Sequence, residues 1–406
     1  MSHAKALFPG GFYEIPAECK CGWHSTQPAE LLFLRGLEMV QSLLTSGMTV
    51  HLRKSLLLTV VILALILPGW SSENRKNTEV VARPPDLLLE GGRKLVYERS
   101  FSSERDVRKK PGFFGKVLNV IAGEPAYHSL VRPYSIAIDS RGRAILTDPG
   151  AAGIHIFDFA QQKYKFIERR EKGKDAMISP QCVAVDAQDN IYVTDSQVGK
   201  IFVFSHEGKY LRAIGSLKGG EGFFKRPTGI AIDSAAQRIY ITDTLRDRIY
   251  VLDSRGEVLK TIGQRGTDQG KFNFPTELKL NEHELIVVDA MNFRVQVFNN
   301  DGDFRTSFGR QGDSSGEIFR PKAVAIDSEG HYYLADGLWG VVQVFDQSGR
   351  LLYYFGKSGT GPEEFQAPTG LFITSDDHVF VVDSLNRRIQ EFRYFGLEKR
   401  SAAGQP

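Results

Sequence analysis

A pattern that recurs six times between Pro133 and Phe395 constrains this chain more than any other feature of its sequence. Each unit reads approximately Pro-x-x-Val-Ala-Ile-Asp, then Ile-Tyr-Val-Thr-Asp, then Arg-Ile-x-Val-Phe-Asp, and most units close with an apolar run that ends in Gly. The units open at Pro133, Pro180, Pro227, Pro275, Pro321 and Pro368. The aspartates that end the second run are Asp148, Asp195, Asp243, Asp289, Asp336 and Asp383. Both markers repeat every 46 to 48 residues, so the repeat is a structural unit and not an accident of composition.

The third unit shows how one repeat is built. Its four apolar runs are Thr228–Asp233, Gln237–Asp243, Arg248–Asp253 and Glu257–Gly263. These runs are short, rich in β-branched and aromatic residues, and have no helical period, so they indicate β-strands. Turn residues such as Asp and Gly separate them, which indicates tight hairpins between antiparallel strands. Six such units predict an all-β fold, a six-bladed β-propeller with four antiparallel strands in each blade.

Three segments carry a resemblance to a known family. They are Ala231–Asp253 (AIDSAAQRIYITDTLRDRIYVLD), Val287–Phe304 (VVDAMNFRVQVFNNDGDF) and Val381–Phe392 (VVDSLNRRIQEF). These segments resemble the NHL repeat, and the resemblance implies a six-bladed NHL propeller of the exported bacterial type. Such propellers serve as binding modules and as enzymes, so the resemblance leaves the function open.

Closure of the ring requires a strand from outside the repeats. The last unit supplies three strands, near Gly370–Thr374, His378–Asp383 and Arg388–Phe392, and no fourth apolar run follows. A blade with three strands would leave an unpaired edge. The missing strand is therefore expected to come from before Pro133.

Two segments compete for this role. Leu95–Ser102 alternates between apolar and polar residues, and Lys116–Gly123 resembles the fourth run of the third unit. Phe113–Ile121, however, places apolar residues at helical spacing. We expect Leu95–Ser102 to be the closing strand and Phe113–Ile121 to be a short helix that caps the ring.

The N-terminal part of the chain differs from the repeats. Leu56–Leu67 is apolar apart from Thr59, and Arg53 and Lys54 precede it, which is typical of a signal peptide. Ser71–Glu90 is polar and indicates a flexible tether. The expected organisation is a non-native or disordered extension (1–47), a signal peptide or membrane anchor (48–71), a polar linker (72–92), the propeller (93–398, with the closing strand in 93–102) and a disordered tail (399–406).

Composition agrees with an exported ring. The formal net charge is only +3, so no large basic field for nucleic acid is present, and no nucleic-acid partner is expected. Cys182 is the one cysteine of the repeat region and is expected to be a buried apolar residue. Cys19, Cys21 and His24 form a metal-like fragment that lacks a fourth ligand.

The antiparallel meander brings the entry to each blade and the loop after each aspartate to the same end of the ring. The channel-entry candidates, including one acid that breaks the repeat, are Tyr134, Gln181, Thr228, Thr276, Glu277, Lys322 and Thr369. The loops after the aspartates supply an aromatic and basic rim of Arg246, Phe293, Arg294, Trp339 and Arg387, a composition typical of binding patches. The alternative is that the repeated arginines pair with the aspartates of their own blades.

The acidic and histidine residues do not form a recognisable catalytic set. The six aspartates recur in every unit, so we expect them to accept hydrogen bonds from backbone N–H groups of the following loop. The histidines of the repeat region, which are expected to be solvated, are His155, His206, His283, His331 and His378. No catalytic residue, metal or cofactor is assigned, because Glu277 alone does not make an active site.

These observations favour a protein-interaction or ligand-binding scaffold, secreted or periplasmic, and anchored through residues 53–69 if the segment is not cleaved. The expected partner is a protein, a small molecule or a glycan, bound by a monomeric ring. A metal-dependent lyase or hydrolase acting at the channel mouth is the alternative, and RNA binding is a third and weaker one.

Overall fold

The computed structural model describes residues 84–109, 126–168 and 176–396. They consist almost entirely of strands and turns, and they form six blades of four antiparallel strands arranged in a ring. The expected all-β, six-bladed propeller is therefore confirmed. The segments 1–47, 48–71 and 399–406 lie outside the described residues, as does Phe113–Ile121.

Strands are numbered in chain order. Two of them precede the first blade: β1 (Leu87–Leu88) and β2 (Lys94–Phe101). Blade 1 contains β3 (Ser135–Ile138), β4 (Ala144–Asp148), β5 (Gly153–Asp158) and β6 (Lys163–Glu168). Blade 2 contains β7 (Pro180–Val185), β8 (Ile191–Asp195), β9 (Lys200–Phe204) and β10 (Tyr210–Ile214). Blade 3 contains β11 (Pro227–Asp233), β12 (Arg238–Asp243), β13 (Arg248–Asp253) and β14 (Val258–Ile262).

The second half of the ring follows the same plan. Blade 4 contains β15 (Pro275–Leu280), β16 (Glu284–Asp289), β17 (Arg294–Asn299) and β18 (Phe304–Phe308). Blade 5 contains β19 (Pro321–Ile326), β20 (Tyr332–Asp336), β21 (Val341–Phe345) and β22 (Leu351–Phe355). A short parallel pair, β23 (Lys357–Ser358) and β24 (Glu364–Phe365), leads to β25 (Pro368–Ile373), β26 (His378–Asp383) and β27 (Arg388–Phe395) of blade 6. Short 3-10 helices lie at Glu90–Gly92, Glu104–Asp106, Thr244–Arg246 and Ala290–Asn292.

Blade 6 is completed by a strand from the N-terminal side of the repeats. Strand β2 pairs antiparallel with β27, from Lys94 opposite Phe395 to Phe101 opposite Ile389. The sheet order is β1-β2-β27-β26-β25. Strand β2 overlaps the first of the two segments considered for this role. Leu95 and Phe101 are each 2% exposed, so the strand contributes to the core as well as pairing with an edge.

The core lies between neighbouring blades, because each sheet is covered on both faces. Tyr240 and Ile249 of blade 3 pack with Leu285 and Val287 of blade 4 in one such cluster. The inner strands are therefore buried along most of their length, while the outermost strands alternate. Cys182 is buried and unpaired, as expected.

Within the part of the chain that the structure describes, no helix is both long and apolar enough to cross a membrane.

Candidate functional site

The repeated aspartates fix the loops at one end of the ring. Asp243 is fully buried, and its carboxylate accepts the backbone N–H groups of Lys225 and Arg226, each at 2.9 Å. Asp148 and Asp336 bind the two residues before Pro133 and Pro321 in the same way. In blades 1, 2 and 5 the aspartate also accepts N–H groups of the following loop. The carboxylates therefore hold the backbone segment before each opening proline in position.

These loops surround a cavity of about 560 Å³ at the channel mouth. Five of the expected entry residues line it: Tyr134, Gln181, Thr228, Thr276 and Lys322. The hydroxyl of Thr369 instead donates to the carbonyl of Tyr134 at 2.9 Å. The entry positions thus converge on one site, although not all of them face it.

Three arginines occupy one repeat position in alternate blades and line this cavity. Arg132, Arg226 and Arg320 each directly precede the proline that opens blade 1, 3 or 5, and all three are exposed. The same position in blades 2, 4 and 6 carries Ser179, Phe274 and Ala367. These arginines are not among the site residues expected from the sequence. Their spacing of 94 residues, two repeats, was the available signal.

The mouth is strongly cationic. Within residues 84–109, 126–168 and 176–396, no carboxylate forms an ion pair with the guanidinium groups of Arg132, Arg226 or Arg320. Lys322 adds a fourth positive charge. Burial and the charges of Arg320 and Arg226 lower its pKa, whereas the carboxylate of Asp336 acts in the opposite direction. No Asp or Glu is among the described residues that line the cavity. A negatively charged ligand would relieve this repulsion.

Two threonines that line the cavity differ in how their hydroxyl groups are bonded. The side-chain oxygen of Thr276 is buried and has no hydrogen-bond partner among the described residues. The hydroxyl of Thr228, by contrast, contacts those of Thr242 at 2.9 Å and Thr244 at 2.8 Å. A buried polar group without a partner is costly, but this oxygen is closed to solvent and is therefore not assigned to ligand binding.

Glu277 is buried and does not line the cavity. Its side chain forms an ion pair with Lys279 at 3.1 Å. Burial raises the pKa of Glu277 to about 7, although Lys279 acts in the opposite direction. Burial, together with the charge of Glu277, also raises the pKa of the Cys182 thiol. The acid that breaks the repeat is thus an internal group paired with a lysine.

An aromatic group flanks the mouth at blades 4 and 5. The rings of Phe293 and Phe319 line the cavity with centroids 6.3 Å apart, and Trp339 packs edge-on against Phe319 at 6.3 Å. Trp339 remains 41% exposed. Phe293 and Phe274 have left-handed backbone conformations, with φ of 54° and 55°. The residue at the position of Phe293 is left-handed in every blade (Ala152, Gly199, Asp247, Gly340 and Arg387 in the others), and Ala367 of blade 6 matches Phe274. The conformation therefore belongs to the repeated turns and is not particular to the cavity.

Most of the rim arginines are held within their own blades. Arg294 contacts Asp289 at 2.9 Å and is mostly buried. Arg246 contacts Asp243 at 3.1 Å. Arg388, which directly follows the rim residue Arg387, pairs with Asp383 at 2.8 Å. These contacts agree with the alternative stated from the sequence, in which the repeated arginines pair with the aspartates of their own blades. Arg387, in contrast, is exposed.

The expectation that the histidines are solvated is wrong for His155. This residue is 1% exposed, and its ring lies 4.7 Å from that of Phe166. Its Nε2 is 3.4 Å from the carboxylate of Asp148, so the ring fills a buried space beside a repeated aspartate. The repeat did not indicate that His155 is buried, because the other blades have different residues at this position.

Comparisons with known proteins agree with this architecture. Residues 183–262 and 324–399 match a family model described as a 6-bladed beta-propeller. No curated protein shows a significant match.

Solved structures include similar folds. A gluconolactonase from Xanthomonas campestris is 14% identical with a TM-score of 0.51, over 78% of this chain and 99% of that one. An auxiliary nutrient binding protein from Bacteroides thetaiotaomicron is 12% identical with a TM-score of 0.51, over 65% of this chain and 69% of that one. At such identities the likeness shows the fold alone.

Proposed function

We propose that this propeller is an NHL-type binding protein that works outside the cytoplasm and captures a small ligand with several negative charges at its channel mouth. The observation that carries the proposal is the set of Arg132, Arg226 and Arg320, which recurs in alternate blades and lines one cavity together with Lys322. The cavity volume of about 560 Å³ suits a small molecule, because such sites span about 300–1,000 Å³.

The charges supply the driving force. Guanidinium groups bind carboxylates and phosphates through paired, charge-assisted hydrogen bonds. The repulsion that lowers the pKa of Lys322 weakens when an anion enters. Phe293 offers an apolar surface at the side of the cavity, so the ligand combines several anionic groups with a compact apolar body.

Binding has more support than catalysis. Glu277, the acid that breaks the repeat, is buried and paired with Lys279. The repeated aspartates Asp148 and Asp336 are also buried, and their carboxylates accept backbone N–H groups. In the described ranges, no group of three His, Cys, Asp or Glu side chains converges on this cavity. A metal-dependent lyase or hydrolase would need such a group.

The sequence supports a location outside the cytoplasm. Leu56–Leu67 follows basic residues, as in export signals. The expected tether is shorter than Ser71–Glu90, because Leu87 and Leu88 pair with the closing strand β2. The polar residues 71–86 have the composition of a tether, which would separate the ring from a membrane if the signal remains attached.

Calorimetry with a charged probe and its uncharged analogue tests the proposal. The probe is 1,2,3-propanetricarboxylate, which has three carboxylates, and the analogue is its triamide. We expect the full chain to bind the tricarboxylate and not the triamide, and we expect binding to weaken as salt rises, because the contacts are ionic.

Two matched triple variants distinguish an effect of the charges in the cavity from an effect of the net charge of the protein. Replacing Arg132, Arg226 and Arg320 together by Gln should abolish binding. Replacing Arg141, Arg255 and Arg350 by Gln removes the same charge from hairpins at the opposite end of the ring and should leave binding intact. Equal loss in both triple variants, or binding of the triamide, would contradict a specific anion site.

A further inference from the structure

A cluster of nitrogen and oxygen ligand atoms lies where the closing strand β2 meets β26 and β27, apart from the channel mouth. His378 Nδ1 is 3.0 Å from Glu391 Oε1 and 3.4 Å from Glu98 Oε2. One ligand atom from each of the three residues lies within 4.8 Å of the other two. Glu391 is 4% exposed, whereas Glu98 is at the surface.

Glu391 breaks the repeat at a core position. The matching residues of the third strands in the other five blades are all β-branched and apolar: Ile156, Val203, Val251, Val297 and Val344. Burying a carboxylate where the fold accepts valine is costly unless the charge is compensated. The substitution therefore indicates a local role that the other blades do not have.

Glu98 breaks the repeat as well. It is the extra residue of a β-bulge, because Tyr97 lies opposite Phe392 while Arg99 lies opposite Glu391. The four other blades with this bulge place Leu211, Leu259, Arg305 and Leu352 there. Bulges re-aim side chains, and this one brings a carboxylate to His378.

Neighbouring groups orient two of the three side chains, Glu391 and His378. Arg99 Nε donates to Glu391 Oε2 at 2.6 Å, which leaves Oε1 facing His378. Asp376 lies 3.4 Å from His378 Nε2, the ring nitrogen that faces away from the cluster. A carboxylate on the far nitrogen of a ligating histidine is the usual supporting contact at metal sites.

We propose that Glu98, His378 and Glu391 bind a divalent transition-metal ion of the zinc class, which links the closing strand to blade 6. Zinc bonds of about 2.0 Å in tetrahedral geometry place ligand atoms about 3.3 Å apart. The observed separations from His378 Nδ1 are 3.0 and 3.4 Å. One imidazole and two carboxylates suit zinc, manganese or iron(II) rather than calcium.

The ion would stabilise the closed ring. Strand β2 is separated from β27 by 292 residues at the Arg99–Glu391 contact, so the last blade is held by non-covalent contacts alone. A bridging metal binds the folded chain and not the unfolded one, and such binding stabilises the fold. This inference is independent of the ligand at the channel mouth.

Zinc titration of the full chain tests the inference. All samples carry Cys19→Ser and Cys21→Ser, so the N-terminal cysteines do not bind the metal. After treatment with a chelator, zinc should bind at one equivalent and raise the Tm by several degrees. Glu98→Gln and His378→Gln should each weaken zinc binding by about tenfold or more. Cobalt(II) should give visible bands without the charge-transfer band of a thiolate ligand.

His331→Gln is the matched control. His331 occupies the position of His378 in blade 5 and contacts Asp327 at 2.8 Å, but the third-strand residue there is Val344. Zinc affinity should be unchanged in this variant. The inference fails if the chain does not bind one equivalent of zinc, or if Glu98→Gln, which alters an exposed residue, binds zinc as tightly as the parent. A Tm that rises with acid and not with zinc would show instead that protonated His378 holds the carboxylates.

Discussion

Glu277 should make the protein less stable as the pH rises towards neutrality. Burial raises the pKa of its carboxyl from 4.5 to about 7, so the folded chain holds a proton that the unfolded chain has already released. This stabilisation is fully present below about pH 4.5 and is lost as the pH rises through about 7. The difference between the two pKa values corresponds to about 3 kcal/mol. Glu277→Gln mimics the neutral acid and should not show this loss.

Urea denaturation between pH 4.5 and 8 measures the effect. The free energy of unfolding of the parent should fall relative to that of Glu277→Gln by about 3 kcal/mol across this range. Glu282→Gln, which replaces a glutamate with a 92% exposed side chain, should run parallel to the parent. If the curve of Glu277→Gln also runs parallel to the parent, Glu277 is ionised in the folded protein and the argument is wrong.

Two further predictions concern ring closure and export. Phe101→Ala should lower the free energy of unfolding by about 3–5 kcal/mol, because this ring is 2% exposed and packs 5.1 Å from Phe157; urea denaturation measures the change. Ser100→Ala, at an exposed position of the same strand, should have an effect within about 0.5 kcal/mol, and equal effects would contradict a core role for β2. Residues 48–85, fused to a reporter that is active only after export, should give activity, and a reporter retained in the cytoplasm would refute the export proposal.

The fold was predictable because its signal is local and repeated. In the third unit the expected run Arg248–Asp253 coincides with β13, and Gln237–Asp243 begins one residue before β12. Alternation and turn chemistry fix such strands without long-range information. The closing strand β2 was harder to predict, because its partner β27 lies at the other end of the repeats. The only indication of β2 was that the last unit lacks a fourth strand.

The site was less predictable because it depends on side-chain direction and on strand pairing. The entry residues expected from the sequence follow each opening proline, whereas Arg132, Arg226 and Arg320 precede it. Residues on both sides of the proline line the cavity, and the period alone does not indicate that the preceding residue does so. Glu98 and Glu391 meet only through a bulge in a pairing between distant strands, and no spacing in the sequence encodes that contact.

The most direct test of the anion site is the affinity of three single variants for 1,2,3-propanetricarboxylate. Arg132, Arg226 and Arg320 occupy equivalent positions in alternate blades and line the same cavity. A hydrogen bond to a charged group contributes about 1.5–3 kcal/mol. Calorimetry should therefore show Arg132→Gln, Arg226→Gln and Arg320→Gln each binding the probe about tenfold or more weakly than the parent. Parent-like affinity in all three variants would contradict the account.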